Sequence, residues 1–439
     1  MSIPMLAFSA LAAAVGYIFL RAAPRATAVL WIAVLFFVPI WVGITAGPFW
    51  YAITMVTLIA IASFLGASVR LSVVDAIAAV LTIVIVAQFT LRMTSLSSMF
   101  TALTEWIVPY VWGRLVLTRV SSGYLSGAVA AIATLAAVLA VHEGITGENM
   151  FVGVEFGSSG LHDLWAELQL RGGMLRAEGA FGHSIALGAS LGIASAFVLA
   201  ARWHVLVRLS CLGVIVVATS LTLSRIGLVT LAVTIALSVL LQPGLSALTR
   251  LSVIAAGLIA VAIVIPFLST VFLDAGSEAG GSADYRWDLL GLVPLIPLFG
   301  SAADFSGLTE GGVYLGDFAK SVDNAILVAA LRVGWVPTLL LLAMIVLACL
   351  PLLRRGGASP AAIAVTGQLP GLVAVAFITQ YAFLFWFVVG LAVAEETGRR
   401  ADSAVPLVRR ETKERASRTS LIGSSALAIA RAGDRGIEK

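Results

Sequence analysis

The stretch Leu71-Ser-Val-Val-Asp-Ala-Ile-Ala-Ala-Val-Leu-Thr-Ile-Val-Ile-Val-Ala-Gln-Phe-Thr-Leu91 decides the fold class. It matches the roughly 20 apolar residues that cross a hydrocarbon layer as a helix. Its one charge, Asp75, stands near the start, where a carboxylate caps the first free N–H groups. Runs of the same kind recur at 2–20, 27–46, 49–67, 96–113, 121–141, 178–200, 204–223, 226–242, 251–273, 324–350 and 361–395. Glu105 and Pro109 interrupt the 96–113 run. Gln368-Leu369-Pro370-Gly371 breaks the last run, which is therefore one long kinked helix or a tight pair. The expectation is an all-α polytopic integral membrane protein with 12 or 13 transmembrane helices.

Composition agrees. Of 439 residues, 60% are hydrophobic and 11% charged, and the mean hydropathy is +1.05. A soluble domain carries about 25% charged residues. Cys211 and Cys349 lie inside apolar runs and read as packing residues, since two cysteines build neither a disulfide framework nor a metal site. The basic residues are dispersed without aromatic interleaving, which excludes a nucleic-acid partner. Met1–Leu20 has no basic start and no small-residue cleavage site before Arg21, so it reads as a retained first span.

Short basic turns at Arg21/Arg25, Arg70, Arg114/Arg119, Arg202/Arg208, Arg250 and Arg354/Arg355 mark the cytoplasmic side by the positive-inside rule. Strict alternation then puts the N-terminus outside. The chain divides into N-terminal helices over 1–141, a first external loop over 142–177, central helices over 178–273 and a large external loop over 274–323. C-terminal helices follow over 324–395, and 396–439 is a basic cytoplasmic tail without order. Both loops, on the periplasmic side, far exceed the usual 4–6 residues, and long loops tend to carry function. The first contains Gly157-Ser-Ser-Gly160 and an amphipathic stretch, Leu161–Leu168; the second opens on the glycine-rich Gly276–Ser282. Trp31, Trp50, Tyr51, Trp112 and Trp203, at the ends of spans, read as interfacial anchors. His142 and His162 read as surface residues.

Against this hydrocarbon background the arginines stand out. An arginine at a helix centre costs about 2.5–3.5 kcal/mol on insertion scales, and persists where it meets a cavity, a partner or an anion. In order, the chain offers Arg176-Ala-Glu-Gly-Ala-Phe-Gly-His-Ser184, Leu223-Ser-Arg-Ile-Gly227 and Tyr285-Arg-Trp287. Pro297-Leu-Phe-Gly300, Asp323-Asn324 and Gly334 follow. Guanidinium groups grip phosphate oxygens in pairs and stay charged at any working pH.

This order, over Arg176 to Pro351, resembles the O-antigen ligase and O-antigen polymerase family of bacterial membrane glycosyltransferases. That family's marks are R-x-x-G-x-F, an S-R at a span boundary, an Arg followed by P-L-F-G, and a His-Asn before a Gly. The chain departs at Asp323, where the family has His, at Pro337, and at His183-Ser184 in place of Pro-Asn. The resemblance implies a GT-C-like fold in the bacterial cytoplasmic membrane with its site on the outer face. It also implies metal-independent, inverting transfer of a glycan from polyprenyl (undecaprenyl) diphosphate to a sugar hydroxyl on a lipid-linked glycan or a lipid core. Arg176, Arg225 and Arg286 would stabilise the diphosphate leaving group and Asp323 would take the acceptor's proton. Asn324, Glu178, His183 and Tyr285 would bind substrate. No cofactor or metal is called for; the partners are donor, acceptor and membrane lipid. Polymerase and ligase share all these features.

Each residue also has a plainer reading. Arg225 would snorkel, Asp323 would cap the helix after it, Glu178 would pair with Arg176, and His183 would pack. Glu105 has no assigned role. At the level of function, a transporter or flippase of lipid-linked oligosaccharide and a non-catalytic scaffold remain as alternatives.

Overall fold

The computed structural model describes residues 16–157, 159–274, 289–302, 309–310, 313–314, 322, 324–354 and 357–400. Tyr285, Arg286, Asp323, most of the first span and the tail from 401 lie outside them. By internal contacts the chain forms one unit through Ala394 and a second from Glu395.

Among the described residues the structure is mainly helical, with three two-stranded hairpins. Helices α1 (Gly16–Ala22) and α2 (Pro24–Phe37) meet at a bend of 113°. A hairpin pairs Gly43–Thr45 with Phe49–Tyr51 and leads into α3 (Ala52–Ser63). Helix α4 (Val73–Thr90) opens with a reciprocal capping box between Ser72 and Asp75. The Asp75 carboxylate also takes Nε of the buried Arg114 at 2.8 Å and the Tyr110 hydroxyl at 2.7 Å. The expected cap is therefore also one half of an ion pair joining two helices.

The interrupted 96–113 run is continuous but locally widened: α5 (Leu96–Thr101) passes through a π segment, Ala102–Ile107, into α6 (Val108–Val116). Pro109 explains this, because its ring cannot tolerate the carbonyl four residues earlier, that of Glu105, in α geometry. Next come α7 (Ser122–Thr146), α8 (Ser159–Trp165) and a hairpin pairing Leu170–Arg171 with Met174–Leu175. Helices α9 (Ser184–Ala200), α10 (Val205–Leu221), α11 (Arg225–Leu241) and α12 (Ala247–Asp274) follow. After the second loop come α13 (Ala325–Val333), α14 (Trp335–Cys349), α15 (Pro360–Gly367), α16 (Leu369–Leu372) and α17 (Thr379–Arg400).

Helix α9 is the centre of the bundle. It is apolar all round, which is the pattern of a fully enclosed helix. Gly188 and Gly192, four apart, let α11 come close: a Cβ at Gly192 would stand 3.2 Å from Thr230 Oγ1 and 3.3 Å from the Leu231 nitrogen.

The span count differs from the expected 12 or 13. Among the described residues, five helices are long and apolar enough to cross a membrane, or six if α1 and α2 form one broken span. Helices α3, α9, α10 and α11 are apolar but shorter, at 12 to 17 residues. Seventeen residues rise about 26 Å, a few ångströms short of a hydrocarbon core of about 30 Å. The runs of α10 and α11 match their helices to within two residues, whereas those of α3 and α9 lose residues to the hairpin before Ala52 and to the Gly179–Phe181 turn. The 324–350 run breaks at Gly334, whose φ is 85°, and the 361–395 run becomes α15, α16 and α17.

The aromatic reading needs correction. Trp31 and Trp112 are wholly buried, and Trp31 packs 4.4 Å from Phe387 while donating to Thr57 Oγ1 at 2.8 Å. Large flat rings with one donor fill a core as well as they mark an interface. Trp50, Tyr51 and Trp203 are half-buried, with the Tyr51 ring 6.2 Å from Phe383. His142 is exposed as expected, whereas His162 packs edge-on to Trp41 at 5.4 Å. Cys211 and Cys349 are half-buried.

Candidate functional site

The arginine motifs meet at the turn between α10 and α11. A helix leaves its last carbonyls without intrahelical partners. Here three successive carbonyls are taken by the first loop. Leu221 O accepts from the Ala177 nitrogen at 3.0 Å, Thr222 O from Arg176 Nε at 3.2 Å, and Leu223 O from an Arg171 terminal nitrogen at 2.7 Å. Guanidinium charge at this end also complements the helix dipole. Leu223 is fully buried and left-handed, with φ 50°. A non-glycine residue held there costs about 1–3 kcal/mol and persists only where its surroundings over-determine it. The three bonds supply that.

The same turn then starts α11. Ser224 Oγ accepts from the Gly227 nitrogen at 3.1 Å, and Arg225 is the first helical residue, with an exposed side chain. Arg176 is buried at 7% exposure and also donates to Gln169 Oε1 at 3.0 Å. Arg176, from the first loop, thus bonds the turn that leads into Arg225. Arg171 joins them without having been expected; its only sequence signal was its place five residues before Arg176. Arg286 lies outside the described residues, so the full set of three is not visible.

The segment carrying Glu178 is held from α7. Glu143, 3% exposed, accepts from the Glu178 nitrogen at 3.0 Å, the Gly179 nitrogen at 2.9 Å and Asn149 Nδ2 at 2.9 Å. Asn149 also donates to Gly179 O at 3.1 Å, and Gln380 from α17 bridges Val38 O and Ala180 O, both at 2.9 Å. Sequence reading missed Glu143. Its signal was a carboxylate near the end of a 25-residue apolar helix, where an unpaired charge would be costly. Glu178 is itself buried, and His183, 4% exposed, precedes α9 with its ring edge-on to Trp165 at 6.2 Å.

A second assembly forms around Gly334. The Pro297–Gly300 stretch lies against the α13–α14 break: Trp335 donates to Pro297 O at 3.0 Å and Val336 to Leu298 O at 2.9 Å. A Cβ at Gly334 would stand 2.8 Å from Leu298 O, so the position admits only glycine. Ser301 Oγ donates to Arg332 O at 2.7 Å, and Gln88 to Val333 O at 3.0 Å. Two pieces of the motif set thus meet in space. At the start of α13, Asn324 is the N-cap, its Oδ1 accepting from the Leu327 nitrogen at 3.0 Å. The N-cap place is thus taken by Asn324, while Asp323 lies outside the described residues. Short α16 touches both α11 and α13, the helices that begin at Arg225 and Asn324.

Chemically, the arginine turn offers fixed positive charge beside a helix N-terminus, an arrangement that favours an anion. Among the described residues, no three His, Cys, Asp or Glu stand together as metal ligands. Comparison with family models, with curated proteins and with solved structures gave no match to this chain.

Proposed function

We propose that this protein is a membrane glycosyltransferase that moves a glycan from a polyprenyl diphosphate to a sugar hydroxyl, as a polysaccharide polymerase or an O-antigen ligase does, with its site on the outer face of the bacterial cytoplasmic membrane. The observation that carries the reading is the convergence of Arg171 and Arg176 on the turn that begins α11 at Arg225. In the reaction, the acceptor oxygen bonds to the anomeric carbon as the bond from that carbon to the diphosphate oxygen breaks. The electron pair leaves on the diphosphate, where guanidinium charge from Arg176, Arg225 and Arg286 stabilises it. The hydroxyl proton passes to the Asp323 carboxylate, which acts as the base. Direct displacement inverts the anomeric centre. Asn324, Glu178, His183 and Tyr285 would contact the sugars.

The helix break at Gly334 favours a second reading, since transporters build sites from discontinuous helices. One experiment separates the two. Purified protein in vesicles receives an undecaprenyl-diphosphate-linked oligosaccharide and a lipid-linked acceptor, and products are resolved by size. A longer glycan and released undecaprenyl diphosphate support transfer. Passage of intact donor across the bilayer, with no covalent change, supports the transporter and ends the transferase reading.

A further inference from the structure

Glu105 is a charge that the arginine turn leaves unexplained. It stands in the π segment that joins α5 to α6. Pro109 accounts for the widened turn, but an alanine at 105 would serve that geometry equally. A carboxylate inside an apolar run is costly, and marks a functional site whose partner should be sought. Widened turns of this kind also concentrate at functional sites. The partners come from distant parts of the chain. The Arg332 charge, in the last turn of α13, acts on Glu105 and on Tyr51, and Glu105 acts on Tyr51. All three side chains are half-buried. Among the described residues, neither the Glu105 carboxylate nor the Tyr51 hydroxyl makes a hydrogen bond, so both keep that capacity for a ligand. The Arg332 backbone is fixed from outside its helix, its carbonyl accepting from Ser301 Oγ at 2.7 Å and Thr94 Oγ1 at 3.3 Å. Aromatic rings flank the cluster: Trp50 meets Phe100 edge-on at 4.8 Å, and Phe49 meets Tyr51 at 5.1 Å. Tyr51 begins α3, and at the other end of α3 Arg119 donates to Ser63 O at 3.1 Å. The Tyr51 end is thus opposite the basic turns.

The chemistry of the cluster chooses its ligand. An anion is repelled by Glu105 and a cation by Arg332. A neutral ring that carries hydroxyl groups uses both: it donates to the carboxylate, accepts from the guanidinium and does either with the phenol. Its C–H faces suit the negative faces of the aromatic rings beside it. We propose that Tyr51, Glu105 and Arg332, flanked by Trp50 and Phe100, form a subsite for a neutral sugar of the acceptor glycan. That the sugar belongs to the acceptor rests on the transferase reading; a site for a neutral sugar does not. Arg332 and Asn324 stand at opposite ends of α13, about 12 Å apart along the helix. A sugar held at Arg332 therefore belongs to the body of the acceptor and not to its reacting hydroxyl. Such a contact is equally strong before and during transfer, so its loss raises the acceptor KM and leaves kcat alone.

The test uses the full chain in phosphatidylcholine vesicles with an undecaprenyl-diphosphate-linked donor and a lipid-linked oligosaccharide acceptor. Glu105→Gln keeps the shape and removes the charge, Tyr51→Phe removes one hydroxyl, and Trp50→Ala removes one ring. The expected result for Glu105→Gln is an acceptor KM raised about tenfold, the difference between a charged and a neutral hydrogen bond. The donor KM and kcat at saturating acceptor should stay within about twofold. Tyr51→Phe and Trp50→Ala should move the acceptor KM in the same direction, and they carry the test where Glu105→Gln does not fold. An unchanged acceptor KM in the variants that fold would make the cluster a structural ion pair and overturn the proposal, and so would an equal fall in kcat. Binding is read separately from transfer. The same acceptor, carrying a diazirine on its sugars, is photolysed with the protein, and labelled peptides are mapped. Label should fall on 49–51 and 99–106, and unlabelled acceptor glycan should compete for it. Competed label there without transfer sinks the transferase reading and leaves a sugar site. Transfer with the label elsewhere sinks the subsite alone, and absence of both sinks both.

Discussion

Helices α9 and α12 are both predominantly apolar, yet the first is enclosed and the second is nearly bare. The difference lies in side-chain size. Helix α9 is rich in Gly, Ala and Ser, so neighbours approach its backbone on every side. Helix α12 leaves Ile259 and Ile263 exposed outside the apolar trough between α10, α11 and α12, which Leu258 and Val261 help to line. In a membrane, hydrophobicity does not decide which helix goes inside, because lipid is as apolar as leucine; close packing of small residues does. Helix α11 stands between the two worlds, with Gly227 and Thr230 against the glycines of α9, its bulky face on the trough, and Arg225 at its start.

The strongest way to sharpen this contrast is at the arginine turn. Arg176→Ala removes a buried guanidinium and should lower transfer about 100- to 1000-fold, as loss of one transition-state donor does. It should also lower thermal stability, because Thr222 O loses its donor. The exposed Arg225→Ala should lower transfer without moving the melting temperature. Equal stability loss in both would make the turn a structural cap only. Lys at position 176 should rescue poorly, being a point charge.

Next in size is one substitution made in both helices. Gly192→Leu drives four carbons into Thr230 and Leu231 and should cost about 3 kcal/mol, seen as loss of monodisperse protein in detergent. Gly257→Leu on α12 meets open space and should gain up to about 1 kcal/mol from helix propensity. Similar losses at both sites would break the account of inside and outside.

A smaller effect is expected where α7 steadies the approach to α9. Glu143→Gln keeps the shape but leaves only one acceptor oxygen for the Glu178 and Gly179 nitrogens. It should cost about 2 kcal/mol in thermal unfolding. The smallest is at α13: Asn324→Ala should cost about 1 kcal/mol as a lost cap. Asp323→Asn should leave stability unchanged and abolish transfer, while Asp323→His keeps some. Wild-type transfer by Asp323→Asn would move the base elsewhere, to Glu178 or His183.

The apolar runs of the sequence already determined an all-helical, membrane-embedded class, because about 20 residues without charge have no other stable home. They also determined the cap at Asp75, since capping acts within one turn. The order of motifs singled out Arg176, Arg225, Pro297–Gly300 and Gly334; that Arg176 bonds the turn before Arg225 and that Pro297–Gly300 lies against Gly334 came from the folded chain. Helix lengths, the burial of Trp31 and Trp112, and the roles of Arg171 and Glu143 came only with the tertiary structure. Hydropathy measures what a residue prefers to leave, not what it will touch. Whether a tryptophan faces lipid or a ring, and whether an arginine meets water or a carbonyl, depends on partners far along the chain that no local window contains.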